Sequence, residues 1–537
     1  MEGIWRERLA RYRRFIAITA GVGVAAALVL AAANAGHAQE NSKSGKGDEG
    51  RKNGQAINTK ADYTPFEKFT PLASSTACVG EPSGKQAEPF VIPTGYNQQV
   101  VAEEGDPGTN ANTDNWDMNT QNEFGKDAGR YVFRTHENRD KPSQVSVTDL
   151  TTGASEILAE RADWEAFDGI VWTPWGTILA AEETITQAKP DPQVPQASGG
   201  LVYEFFVDED DPSQLDPSRE PITPGDDGTN DTIRDGIRAR PALGAKSHEG
   251  LRFDKRGFLY GIAESRGQTT AGQAGAIFRF IPDRKGDLSR GQLQALVTEN
   301  RRTGEGRWVN LDRTAVQVDA DMEAERRGAN EYQRPEDVET GESTGKDVNN
   351  GGNTLYVGIT EGAEEGVLAI DLSAKDRPFA YPYAGRFAGN TGPGFENPDN
   401  VALDSKGNLA IAEDPPVNAV GADVFVAAPP RGSDDDDEGG KRRQPARTVQ
   451  RFSSLKDCAA EPSGPYFALK GTEKFSEEIG MEDVINGESL FDHRQHAGQS
   501  SPTDALVSIV RDEDDDEGRG RDRGDDDRGR GRNRDDD

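Results

Sequence analysis

The chain has 537 residues, of which 95 are Asp or Glu and 62 Lys or Arg, giving a net charge of −33. That excess excludes binding to nucleic acid through phosphate neutralisation, which needs clustered Lys and Arg. Hydrophobic residues make up 33% of the chain, few enough that part of it is expected to lie outside any packed core.

Residues 1–38 read as an export signal. Five arginines (Arg6, Arg8, Arg11, Arg13, Arg14) precede the apolar run 15–33, and A-N-A (33–35) and G-H-A (36–38) offer cleavage sites. The run is nearly long enough to stay as a membrane anchor, but its Ala and Gly richness favours cleavage. Residues 39–60 read as a flexible linker and 61–510 as one β-propeller domain. The Asp/Arg/Gly tail 511–537 reads as disordered, and Glu517 stands where a calcium loop of the EF-hand type needs Gly. Residues 432–447 read as an exposed charged insert. Cys78 (in CVGEPSG) and Cys458 (in CAAEPSG) lie near the two ends of the domain. In an exported chain such a pair suggests a disulfide that clasps the fold; two separate or metal-binding thiols are the alternative.

One spacing recurs within the domain: an acid, seven residues, a glycine, six residues, another acid. It appears at Asp168…Gly176…Glu183, Glu249…Gly257…Glu264 and Asp399…Gly407…Asp414. In each copy an apolar run follows the first acid and another follows the glycine, the pattern of a β-hairpin. A hairpin returns the chain to its start, so both acids of a copy should lie at its open end. Looser copies surround Glu137 (GRYVFRTHE, 129–137), Glu336 and Glu361 (RPED…TLYVGITE) and Glu461 (before PYFAL and SLFDHRQH). With following strands such as VSVTDL (145–150) and VLAIDL (367–372), they predict an all-β fold: a six-bladed β-propeller with loop insertions.

Stacked hairpins of this kind would gather carboxylates at one mouth. Clustered carboxylates repel one another unless a cation joins them, and oxygen ligands favour calcium or a hard iron or manganese ion. The alternative is that Asp and Gly only shape turns, which covers Asp254 and Asp404 inside the hairpins. His136, His248 and His496 are expected on the same mouth. There is no G-x-S-x-G elbow and no Walker-type phosphate loop.

Four segments in chain order resemble the PhoX-type alkaline phosphatase family. They are WTPWGTILAAEE (172–183), KSHEG (246–250) with LYGIAES…AIFRF, GANEYQRPED (328–337), and EPSG…LFDHRQHAG (461–498). The resemblance implies a six-bladed propeller that hydrolyses phosphate monoesters outside the cytoplasm with an iron–calcium cluster. By position it makes Glu249 and Glu336 iron ligands and Arg334 the holder of the phosphate. Glu182, Glu183, Glu264 and Glu361 become candidates for calcium or supporting roles. With Glu137, Asp399, Asp414 and Glu461 from the repeat, these are the candidate metal residues. The family's cysteine ligand falls on Ala181, so calcium carries over while iron lacks its thiolate. From the residues alone, Arg334 is equally a salt-bridge partner of Glu336 or Asp337.

The expected function is therefore an exported, monomeric, metal-dependent phosphatase acting on a small phosphate ester, free of membrane once its signal is cleaved. The alternatives are a non-catalytic, calcium-stabilised propeller that binds a surface partner, and a metal-dependent lactonase.

Overall fold

Alternating apolar residues and short turns fold into strands, which are numbered here in chain order. The computed structural model describes residues 66, 69–77, 87–105, 115–221 (without 126 and 140), 229, 233–266, 275–341, 354–414 (without 375 and 405), 420–430, 443–469 (without 458 and 459), 472, 475, 490–495 and 504–512. The segments read as signal and linker, Cys78, Cys458, His496, most of the segment read as a charged insert and the residues beyond 512 lie outside the described residues.

The chain opens with β1 (Phe90–Val91) and β2 (Tyr96–Glu103). Antiparallel meanders follow. The first is β3 (Trp116–Gln121), β4 (Tyr131–His136), β5 (Gln144–Asp149) and β6 (Ala154–Glu160). The second is β7 (Phe167–Trp172), β8 (Ile178–Glu182), β9 (Val202–Phe205) and β10 (Ile237–Ala239). The third is β11 (Leu251–Phe253), β12 (Leu259–Ile262), β13 (Ile277–Arg284), β14 (Asp287–Thr298) and β15 (Gly304–Asn310). It joins edge to edge, through β15, with β16 (Gln333–Thr340), β17 (Thr354–Glu361), β18 (Gly366–Asp371) and β19 (Phe379–Ala384). The next contains β20 (Pro398–Leu403), β21 (Leu409–Glu413), β22 (Asp423–Ala428) and β23 (Thr448–Leu455), with β1 on its outer edge. In the last, β24 (Glu461–Phe467), β25 (Leu490–Gln495) and β26 (Ala505–Arg511) are completed by β2 from the other end of the chain. Seven residue pairs between β2 and β26 therefore close the ring non-covalently.

The inner strands pack in a cycle: β3 on β7, β7 on β11, β11 on β16, β16 on β20, β20 on β24, and β24 back on β3. Between each neighbouring pair of meanders lies an apolar cluster. Ile170 and Ile178 meet Phe133 and Val147 on one side of the second meander, and Leu179 and Val202 meet Leu251 and Phe278 on the other. Tyr466 and Leu506 of the last meander meet Trp116 and Val132 of the first. Full burial of a Val, Leu or Ile is worth about 1.5–3 kcal/mol, so these faces hold the ring together. The hairpin turns behave as the Asp–Gly spacing predicts. Asp254 accepts from the backbone N–H of Arg256 and Phe258 at 2.9 and 3.0 Å, and Asp404 accepts from Lys406 and Asn408 at 2.9 and 2.8 Å. Each turn closes on a left-handed glycine, Gly257 (φ 80°) or Gly407 (φ 86°).

A candidate metal centre on the propeller axis

The first acid of each repeat enters the axis through a local irregularity. The pairings of β3, β7, β16, β20 and β24 with their second strands each hold one extra residue, between Trp116 and Asn119, Phe167 and Ile170, Pro335 and Val338, Pro398 and Val401, and Ser463 and Tyr466. In four of them the extra pair begins with an acid: Asp117, Asp168, Glu336 and Asp399. A β-bulge bends the strand and re-aims a side chain. Two residues before three of these acids stand Ala166, Arg334 and Asn397, with φ of 46°, 50° and 46°. Left-handed backbone at a non-glycine residue is uncommon and costs on the order of 1–2 kcal/mol. The same device recurs ahead of three of the acids that face the axis.

Close packing around the axis explains why Gly or Asn follows the acid. A Cβ on Gly169 would lie 2.1 Å from the Glu249 carbonyl oxygen, and one on Gly250 would lie 1.6 Å from Asp337 Oδ1. Asn400 serves the last contact differently, its Oδ1 accepting from Gly464 N at 3.0 Å.

The acids meet in three overlapping groups: Asp168, Glu183 and Glu249; Glu249, Glu336 and Asp399; Asp399, Asp414 and Glu461. Within each group one oxygen of every carboxylate lies within 4.8 Å of the others. Glu249 and Asp399 are shared, so seven carboxylates form one continuous array. Burial first, and the negative charge of neighbours second, hold Asp168, Glu183, Glu249, Glu336, Asp399 and Glu461 well above the usual carboxylate range. Asp168 Oδ1 is buried and has no hydrogen-bond partner. An array of buried and half-buried oxygens, one of them orphaned, fits a hard cation with oxygen ligands.

Arg334 is set into this array. Its Nε lies 2.7 Å from Glu264, one terminal nitrogen 3.0 Å from Glu336, and the other 2.8 Å from Asp414. Burial opposes its charge, but Glu336, Asp414 and Glu264 outweigh that and raise its pKa further. Thr360 donates to Glu336 at 2.9 Å. Glu361 lies at the exposed rim, 4.0 Å from Arg334 and 3.0 Å from Arg266.

Several predicted residues stand elsewhere. Glu182 is outside the array: its carboxylate points away from the axis and accepts from the backbone N–H of Glu165 and Leu201, each at 3.0 Å. Glu413, just before Asp414, does the equivalent for Glu396 N at 2.8 Å. In an E-acid pair at a strand end, alternation sends only the second residue to the axis. Alternation also corrects the histidines. Both ring nitrogens of His136 are taken inside the first meander, by Ser146 Oγ at 2.8 Å and Gln144 at 3.0 Å. His248 bonds the Gly244 carbonyl and Lys246 Nζ, each at 2.9 Å, and burial holds its pKa well below the usual range. The acid after each histidine faces the axis instead. Ala181 is fully buried in the apolar cluster that includes Leu251 and Ala263.

Two residues were missed by sequence reasoning. Asp117 is 4% exposed, hydrogen-bonded by Ser463 Oγ, and pushed up to about 7 by burial and then by Glu137. The spacing Asp117…Gly125 fits the first half of the repeat, but a longer turn before β4 breaks the second half. Arg139 follows Glu137 in the loop after β4 and contacts the carboxylates of both Glu137 (2.6 Å) and Glu183.

The class these features define is an all-β propeller whose inner strands converge on a carboxylate array built around a guanidinium. The family model for alkaline phosphatase PhoX matches residues 171–470, and the chain belongs to that family. Among solved structures it is similar to the PhoX of Pseudomonas fluorescens in complex with vanadate, a transition state analogue. The two are 16% identical, with 82% of this chain and 97% of that chain covered at a TM-score of 0.52. A gluconolactonase from Xanthomonas campestris (11% identity, 82% and 98% covered, TM-score 0.38) and the periplasmic gluconolactonase of Pseudomonas aeruginosa (9%, 72% and 85%, 0.33) are more distant. No curated protein sequence matches.

Proposed function

We propose that the protein is an exported, metal-dependent phosphatase that hydrolyses phosphate monoesters at the carboxylate array, with calcium as its cation. The observation that carries this reading is Arg334, whose fork is set by carboxylates of two of the three candidate ligand groups. Asp168, Glu183, Glu249, Glu336, Asp399, Asp414 and Glu461 would hold the cations, and Glu137 and Glu264 would border them. Bound cations would neutralise phosphoryl oxygens and lower the pKa of water. The chain's own residues do the positioning. Thr360 fixes the Glu336 carboxylate, and Arg334 presents a planar pair of donors that matches two phosphoryl oxygens.

Iron has no cysteine ligand to draw on at Ala181, which favours calcium alone. The inner strands are read as six blades, residues 1–38 as a cleaved signal, residues 39–60 and 511–537 as unstructured flanks, and the protein as a monomer. No helix among the described residues is long and apolar enough to cross a membrane. Support for the Cys78–Cys458 disulfide comes from its flanks, since Thr76 N donates to Ser454 Oγ at 2.8 Å.

The test is elemental analysis of purified protein together with hydrolysis of nitrophenyl phosphate. Calcium with turnover supports the reading. Calcium without turnover, even after iron is added, supports a non-catalytic propeller, the reading that the buried Ala181 methyl favours. Protein without bound metal that gains no activity from added calcium or iron overturns the proposal.

A further inference from the structure

The carboxylate array carries a second guanidinium. Arg139 lies on the Glu183 side, and Arg334 lies on the Glu336 and Asp414 side. The two differ in what they can still bind. Each nitrogen of Arg334 meets one carboxylate, which leaves one donor on each terminal nitrogen for the proposed phosphoryl group and none for a further ligand, and its side chain is 23% exposed. Arg139 is 56% exposed and directs one edge inward, to Glu137, to the Glu183 carboxylate and, at 3.3 Å, to the Glu183 carbonyl. A guanidinium has five N–H donors in a fixed fork, so its outer edge keeps donors for a ligand.

The root of Arg139 is fixed. Asn138 is 4% exposed, donates through Nδ2 to the Pro142 carbonyl at 3.2 Å, and its own carbonyl accepts from Ala166 N at 2.8 Å and Ser143 Oγ at 3.0 Å. Those bonds tie the loop to the left-handed residue ahead of Asp168, so Arg139 is held at the array rather than trailing in solvent. Glu249 belongs both to the group of Glu183, which Arg139 contacts, and to the group of Glu336, which Arg334 contacts, so the two guanidiniums flank one array. The rest of an ester whose phosphoryl group Arg334 holds would extend toward Arg139.

We propose that Arg139 binds a second anionic group of the substrate, so that the preferred substrates are phosphate monoesters whose alcohol portion carries its own negative charge. This rests on the phosphatase reading above. The array is otherwise strongly acidic and would repel such an alcohol portion, so a rim cation decides whether it is accepted.

The experiment compares phosphoglycerate, whose alcohol portion bears a carboxylate, with nitrophenyl phosphate, whose alcohol portion bears none. Both are measured on the calcium-loaded full chain and on Arg139→Gln and Arg139→Lys. In Arg139→Gln the loss in kcat/KM should be at least tenfold greater for phosphoglycerate than for nitrophenyl phosphate, should appear mainly in KM, and should be partly rescued in Arg139→Lys. A parallel fall for both esters, with lowered calcium content, would make Arg139 a positioning residue for Glu183 and overturn the proposal; so would no change. If the wild type turns over neither ester, the phosphatase reading fails, and calorimetry decides the binding question separately. Phosphoglycerate binding tighter than inorganic phosphate in the wild type but not in Arg139→Gln supports the subsite, and equal binding of the two by the wild type rejects it.

Discussion

Removing the cation while pH is varied tests the array directly. With no cation the buried carboxyls face one another, and Asp117 illustrates the cost. Its pKa rises from 3.8 to about 7 by burial first and by Glu137 second. That rise corresponds to about 4 kcal/mol against ionisation in the folded state. The folded-state value lies above the unfolded one, so the stabilising contribution is full below the ordinary carboxylate range and is lost as pH rises through about 7. Asp168, Glu183, Glu249, Glu336, Asp399 and Glu461 shift in the same direction. An unfolding entropy near 2 cal/mol/K per residue gives roughly 0.8 kcal/mol/K for a fold of several hundred residues, so about 4 kcal/mol moves the melting temperature by about 5 °C. Unfolded Asp117 is already largely ionised at pH 5, so about 3 kcal/mol of that loss falls between pH 5 and pH 8, and protein stripped by chelator should melt at least about 3 °C lower at about pH 8 than at about pH 5. Calcium should abolish the drop, because the cation then compensates the ionised form. The assay is thermal unfolding followed by circular dichroism, with metal content checked by elemental analysis. A melting temperature that is flat or rising across this window in demonstrably metal-free protein would refute the reasoning and return the acids to a purely structural role.

Arg334→Lys should keep the fold and calcium content but lower turnover by about 10²-fold or more, since Lys cannot reproduce the fork. Glu336→Gln should instead lose calcium and activity together; phosphatase assays paired with elemental analysis separate the two, and activity surviving both changes would place the chemistry elsewhere. Gly169→Ala should destabilise by at least about 1–3 kcal/mol in denaturant titration, because its methyl would meet the Glu249 carbonyl 2.1 Å away. A neutral result would mean that the inner strands are free to spread. Non-reducing peptide mass spectrometry should find Cys78 joined to Cys458, and reduction should cost about 2–4 kcal/mol; two alkylatable thiols would defeat that pairing.

The sequence by itself determined the hairpins and most of the array. The acid–glycine–acid spacing is a local rule: an antiparallel turn must return the chain to its starting point. It therefore located Asp168, Glu183, Glu249, Asp399 and Asp414, its looser copies reached Glu336 and Glu461, and resemblance added Arg334. The strands VSVTDL and VLAIDL lie within or along β5 and β18 as alternation requires. What the tertiary structure alone decided is direction. Whether Glu182 or Glu183 faces the axis depends on which backbone amides lie behind the strand end, and those belong to distant residues, Glu165 and Leu201. The bulges that aim Asp117, Asp168, Glu336 and Asp399 arise because the inner strands must converge on one axis, a demand no single hairpin feels. Closure by β2 on β26 joins the two ends of the domain, and the partners of Arg334 come from three meanders. Periodicity reports a residue's neighbours along its own strand; the array is made of neighbours across the ring.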